Sequence, residues 1–370
     1  MYFIIIAVIS VFMLLEMFNT EIVKKYKYLF AFVCFALLVF QDGFRWETGT
    51  DWEPYYNFFQ ELTINNNAVE DTEFDIGYVT FSYLIRIFTD NYSAFLIAFA
   101  ILFYSGFFYF IFKISDSPFM SLLIFYMATV YYMGMNRQFL AMIFYALGLF
   151  YLIHGSKFKF LVMIVLGALF HKTILIGLAA LFLRKKISNI VLLPILTLTI
   201  IIAASGVINK LPLGVFALLG ENAGTKMEYY SLNGDATSMT SMILATIRRL
   251  IWIVPLLILD KKLDKPQGYE LIFNLYLIGT LFYMLCNGTI LQIVVSRALI
   301  YFNIMEMFLV PILFKQLKPN YGKLAITFVL IGYVCLYTLK GFHGYGEGTD
   351  YFLPYKGIFI NTDYHRQYTR

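Results

Sequence analysis

The chain has 370 residues, 60% of them hydrophobic and 14% charged, with a formal net charge of +5 at pH 7. A mean hydropathy of +0.73 excludes an ordinary water-soluble domain. Apolar runs recur from end to end, which excludes a porin-type barrel of short alternating strands. The pattern is that of an all-α, polytopic integral membrane protein. No long polar insert divides it, so residues 1–370 read as a single membrane-embedded domain.

The first run, "MYFIIIAVISVFMLL", has no basic leader and no small-residue cleavage site, so residues 1–18 read as a retained span. A second span is expected over 28–41. The loop 42–92 then carries ten acids against two arginines and no lysine, which fits an outer location. Within it, "FDIGYVTFSYLIRIF" is too short and polar to span and reads as an interfacial or re-entrant helix with Arg86 toward water. A loop helix packed on its neighbours fits equally. Further spans are expected over 93–113, 119–135, 137–153, 158–170, 172–184, 188–205, 241–259, 270–287, 297–314 and 324–340. With the first two they make about 12 transmembrane or half-membrane helices.

Short basic loops set the orientation: Lys24, Lys25 and Lys27; Lys157 and Lys159; Arg184, Lys185 and Lys186; Lys261, Lys262 and Lys265; Lys315, Lys318 and Lys323. Positive residues favour the cytoplasm. If 158–183 were one span, Arg184 to Lys186 would lie outside and every later basic loop would be inverted. Two short helices, out and back, keep all five loops inside and put His171 of "LFHKT" at an outer turn. Broken helices of this kind occur where protein covers them or where they line a cavity. Loop 206–240 reads as a lid or cap, and the tail 341–370 falls outside.

Arginine at or within a span is costly and marks a site by default. Arg45, Arg137, Arg248, Arg249 and Arg297 all fall on the expected outer side. Each alone also fits snorkelling to headgroups. Five guanidiniums on one face fit an anion trap better, and their planar fork suits phosphate. Arg137 and Arg297 open helices, whose N-termini favour anions. His171 suits acid–base or hydrogen-bonding work on a hydroxyl, or a structural bond to a carbonyl freed by the break.

In "FRWETGTDWEPYYNFF", Asp51 follows a Gly-Thr turn that can fold its carboxylate over a cavity. Glu47 and Asp51 are candidates for acceptor hydroxyls. Trp46, Trp52, Tyr55 and Tyr56 suit either an interfacial belt or a sugar platform. Cys34, Cys286 and Cys335 lie in apolar runs and read as packing residues. The four histidines are too scattered for a metal site, so neither metal nor other cofactor is expected. "GTDYFLPY" at Gly348 loosely echoes "GTDWEPYY" at Gly49, a match that chance allows in a Tyr- and Phe-rich chain; both fall outside.

The opening motif, "NRQFLAMIFYALGLFYL", "LGALFHKTILI", "SRALIYF" and the tail "GTDYFLPYKGIF" together resemble, in order, the EpsG family of Wzy-like bacterial surface polysaccharide polymerases. That resemblance implies a GT-C-like, inverting, metal-independent membrane glycosyltransferase working on O-antigen or exopolysaccharide. Its partners would be undecaprenyl-pyrophosphate-linked oligosaccharides as donor and acceptor, and the lipid bilayer, with room for a chain-length regulator and no nucleic acid. Its place would be the bacterial inner (cytoplasmic) membrane, with the active site facing the periplasm or cell exterior. In the mechanism this suggests, His171 or Asp51 would accept or orient the acceptor hydroxyl as the catalytic residue. Pyrophosphate would fall to Arg45, Arg137, Arg248, Arg249 and Arg297, and sugars to Glu47, Trp46, Trp52, Tyr55 and Tyr56. The alternatives are an O-antigen-ligase-type transferase and a flippase of lipid-linked oligosaccharide.

Overall fold

The structure, a computed structural model, describes residues 1–62, 74–210, 239–287, 289, 291, 295, 297–318, 320–343 and 350–366. Most of the expected lid, residues 211–238, and Gly348-Thr349 of the tail motif lie outside them. Contacts divide the chain into two compact units, Met1–Leu178 with Val310–Arg370, and Ala179–Leu309. Among the described residues the regular structure is helical, with isolated bridges of Arg45 with Gly357 and of Gly357 with Ile360.

In the first unit the helices are α1 (Tyr2–Phe18), α2 (Thr20–Gly43), α3 (Trp52–Glu61), α4 (Ile76–Arg86), α5 (Tyr92–Ile114), α6 (Pro118–Thr129), α7 (Asn136–Ile153) and α8 (Lys157–Ala168). A 3-10 segment, Lys172–Leu181, follows α8. The second unit holds α9 (Asn189–Ser205), α10 (Met239–Ile258), α11 (Tyr269–Cys286) and the single turn α12 (Ile300–Asn303). α13 (Glu306–Lys315) leads back to the first unit and α14 (Tyr321–Phe342). Among the described residues four helices, α5, α7, α11 and α14, are long and apolar enough to cross a membrane. α1 is apolar but one turn shorter than a typical span.

α2 begins earlier than its apolar pattern. It starts at Thr20 and runs through the basic stretch, with non-helical backbone at Tyr26. Asn19 caps it by accepting from the Ile22 amide, and Lys and Glu favour helix even where nothing packs on them.

The core of the first unit is aromatic. Phe103 stacks on Phe139 with ring centres 4.6 Å apart, and Phe107 lies 4.5 Å from Phe125. This joins α5, α6 and α7. Large apolar side chains such as Ile4, Phe32, Val329 and Leu336 are exposed on outward faces. Water would penalise such faces, whereas lipid does not.

The two ends of this unit differ. At one, Lys27 lies over the Phe112 ring at 5.4 Å, Lys315 pairs with Asp116 at 2.9 Å, and Glu16 accepts from the amides of Phe119 and Met120 at the start of α6. At the other, residues 44–51 meet the tail: Trp46 N donates to Lys356 O and Ile358 N to Phe44 O. In the second unit, Lys186 and Lys265 share Asp260, and Asn274 donates to the carbonyls of Leu183 and Lys185. This ties the basic loops 184–186 and 261–265 together.

The expected break at His171 appears, between α8 and the 3-10 segment. α8 is about 18 Å long and the 3-10 segment about 20 Å, so neither alone crosses a hydrocarbon core of about 30 Å. The segment returns along α8: Gly167 lies against Ile174, and Gly177 against Ile164 and Tyr145. This is an antiparallel pair with His171 at its apex.

Candidate functional site

The Phe44–Asp51 loop is locked in place. Arg45 is fully buried. Its Nε lies 2.7 Å from Asp42 Oδ1, Nη1 donates to Thr48 O at 2.6 Å, and Nη2 donates to Asn136 Oδ1 at 2.9 Å. Gly49 sits at φ +109°, and a Cβ there would lie 2.5 Å from Met133 O, so only glycine lets this turn approach the turn before α7. Gly49 N then donates to Tyr351 O and Thr50 N to Met133 O. Arg45 is therefore held inside the scaffold by Asp42, Thr48 and Asn136. Glu47 is also taken: Lys356 Nζ lies 2.7 Å from its carboxylate, and Arg366 N donates to it at 3.2 Å. Thus the two echoing stretches, Gly49 onward and Tyr351 onward, pack on one another.

The loop's aromatics form one cluster. Trp52 stacks on Tyr56 with centres 4.8 Å apart, and Trp46 meets both edge-on. Trp52 and Tyr55 are buried, while Trp46 and Tyr56 keep part of their surface. Of the four expected sugar-binding rings, these last two have a face to offer. Asp51 stands half-exposed at the start of α3 without capping it.

Arg137, in the first turn of α7, is the centre of a polar cluster. Its guanidinium lies 4.8 Å from the Phe74 ring centre, its Nε donates to the Tyr55 hydroxyl at 3.3 Å, and its Nη1 lies 3.3 Å from Asp75 Oδ2. Burial raises the Tyr55 phenol, so the group meeting Arg137 is neutral. Asp75 is the residue before α4, a place where aspartate ordinarily caps the helix. It makes no cap bond and turns to Arg137 instead. Burial pushes its carboxyl above the usual carboxylate range, while the charges of Arg137 and Lys172 partly oppose that.

α4 is docked on the apex of the broken pair. Gly77 N donates to Leu169 O at 2.7 Å, and a Cβ on Gly77 would stand 2.8 Å from that oxygen. Gly77→Ala is expected to push α4 off the apex at a cost of about 1–3 kcal/mol, the usual penalty of overpacking. A lower Tm of the detergent-solubilised protein checks it; an unchanged Tm would show that the contact carries no strain.

At the apex, His171 Nδ1 accepts from Thr173 N at 3.3 Å and pairs with the Thr173 hydroxyl at 2.7 Å. A backbone N–H can only donate, so Nδ1 presents its lone pair and the neutral ring carries its proton on Nε2. In that form the ring's donor is Nε2–H, and its acceptor, Nδ1, is the atom that meets Thr173. Lys172 beside it is exposed. One end of the first unit thus brings together Arg137, Asp75, Tyr55 and Lys172, with His171 at the apex where α4 docks. Asp75 and Lys172 were missed in the sequence. Lys172 adjoins the break, and Asp75 directly precedes a helical pattern, which was its only signal.

The other expected arginines belong to the second unit. Arg248 Nη2 lies 3.0 Å from Glu306 Oε2. Trp252 Nε1 donates to Glu306 Oε1 at 2.8 Å, and the Tyr276 hydroxyl donates to Oε2 at 3.4 Å. Arg249 stacks on Tyr283 with its guanidinium carbon 3.3 Å from the ring centre and donates to Ala245 O. Arg297 is half-buried. Glu306 also escaped the sequence reading, although it is the one acid in the apolar run 297–314, and an intramembrane carboxylate is itself a signal.

Comparison with curated proteins and with solved structures finds no match. The family model described as EpsG family matches residues 27–357. That span includes the locked loop, Arg137, the His171 apex and the tail as far as Gly357. The chain belongs to the EpsG family.

Proposed function

We propose that this membrane protein is a polysaccharide polymerase that joins undecaprenyl-pyrophosphate-linked oligosaccharide repeat units on the outer face of the bacterial cytoplasmic membrane. Membership of the EpsG family supports the polysaccharide-polymerase part of this reading. The observation that carries the reading is the polar cluster at one end of the first unit, where Arg137 and Lys172 accompany a half-exposed histidine. A lipid-linked sugar pyrophosphate needs such an arrangement: cations for the diphosphate, and a polar end on an otherwise apolar body.

Arg137, at a helix N-terminus, takes the donor pyrophosphate, with Lys172 as a second positive charge. The terminal hydroxyl oxygen of the incoming unit attacks the anomeric carbon. The bond from that carbon to the pyrophosphate oxygen breaks, and lipid pyrophosphate leaves with the electron pair. Negative charge grows on the leaving oxygen, where preorganised cations act most strongly. His171 Nε2–H orients a substrate oxygen, and Trp46 and Tyr56 offer sugar-binding faces. Asp51, Arg297 and the pair Arg248–Arg249 enter the proposal as separate candidates, each tested by its own substitution. Attack from the side opposite the leaving group inverts the anomeric centre.

A strain lacking this chain is expected to carry surface glycan with one repeat unit instead of many, and re-expression to restore the ladder. Multi-repeat glycan in the deletion strain would oppose the reading. Purified protein is expected to keep full activity in excess EDTA, since the guanidinium and ammonium charges meet the diphosphate. Loss of activity that Mg²⁺ restores would oppose that part.

A further inference from the structure

We propose that Asp75 is the general base that takes the proton of the acceptor hydroxyl, a role that rests on the polymerase reading of the same site. The proton has to go somewhere when the new glycosidic bond forms. His171 is poorly placed to take it, because its acceptor nitrogen already receives the Thr173 amide. Glu47 is held by Lys356 and Arg366. Asp75 instead forgoes its helix cap and reaches the guanidinium through one contact, Nη1 to Oδ2 at 3.3 Å. That distance is long for a charge-assisted bond. Its side chain is 15% exposed and that of Arg137 is 23% exposed, so both can be reached by substrate. The Gly77 contact with Leu169 O fixes the carboxylate beside the His171 apex. Burial makes it more basic than an ordinary carboxylate.

In the balanced step, the acceptor oxygen forms its bond to the anomeric carbon and its proton passes to an Asp75 carboxylate oxygen. The carbon–oxygen bond to pyrophosphate breaks, and that group departs on Arg137. When donor phosphate draws the guanidinium away, the carboxylate loses its partner and becomes a stronger base.

The test uses full-length protein in detergent or liposomes with purified lipid-linked repeat units, read as chain elongation across pH. Wild-type turnover should fall as pH drops through a value above the ordinary carboxylate range, because the base must be unprotonated. Asp75→Asn should lower turnover by about 10²–10⁴-fold, leave the donor KM unchanged and abolish the acid limb. Formate should restore part of the turnover of Asp75→Ala, a rescue that only folded protein can show. If Asp75→Asn raises the donor KM and keeps the acid limb, Asp75 merely positions Arg137 and the assignment is overturned. Loss of the limb in Asp51→Asn with its retention in Asp75→Asn would move the role to Asp51. A wild type that builds no ladder refutes the polymerase reading itself; a wild-type ladder with an unaltered Asp75→Asn profile refutes only the base.

Discussion

Arg137→Ala is expected to abolish long-chain product and to leave the protein folded. Arg137 is held between the Phe74 ring and the Tyr55 hydroxyl at its Nε, with Asp75 Oδ2 3.3 Å from Nη1. None of these replaces it when a diphosphate departs. Removing one preorganised donor from a developing anion ordinarily costs about 10²–10³ in turnover. The group is partly exposed, so its loss leaves no sealed cavity and Tm should change little. Arg137→Lys keeps the charge but loses the planar fork, and should recover a minor part of the activity. Elongation assays with matched amounts of folded protein check this. Near-normal product lengths from Arg137→Ala would remove the residue from the site.

Arg45→Ala should behave in the opposite way, as a folding defect. Its side chain is 0% exposed and that of its partner Asp42 is 2% exposed. Truncation strands a buried carboxylate and leaves Thr48 O and Asn136 Oδ1 without their donor. Breaking a buried pair from one side costs about 3–5 kcal/mol, a large share of the marginal stability of a typical domain. The loop would then lose its register on the turn at Met133–Gly134, and Arg137 follows three residues later. The expected result is poor yield and a much lower Tm, with Arg45→Lys only partly corrected, because the three N–H bonds of an ammonium radiate from one nitrogen whereas the guanidinium meets its acceptors from three. Normal Tm combined with weakened donor binding would return Arg45 to the pyrophosphate rim.

The contrast between these two arginines shows what the sequence could and could not reveal. Both adjoin apolar runs, and residue type alone assigns them the same role. Their difference lies in partners far away in the chain. Asn136 is 91 residues from Arg45, and no local pattern announces that pairing. The fold around His171 was legible for a different reason. The parity of the basic loops is a global constraint, and it favoured a break at "LFHKT" over one long span. The α8 and Lys172–Leu181 pair supplies it. The helical class was equally legible, because lipid permits few backbone solutions. Asp75 and Glu306 were hidden because each gains its meaning from a partner on another helix, Arg137 for one and Arg248 for the other. The tail's pairing with the opening loop was visible only as a weak echo. Its basis is backbone hydrogen bonding, which carries little residue identity, together with the contacts of Glu47 to Lys356 and Arg366, 309 and 319 residues away in the chain.

The central claim is tested most directly by incubating the purified protein in liposomes with a single lipid-linked repeat unit and resolving the products by length. The account predicts a ladder of repeat lengths still attached to the polyprenyl pyrophosphate carrier, with one lipid pyrophosphate released per bond formed. Glycan moved to a different carrier without elongation, or units carried across the bilayer without a new bond, would contradict it.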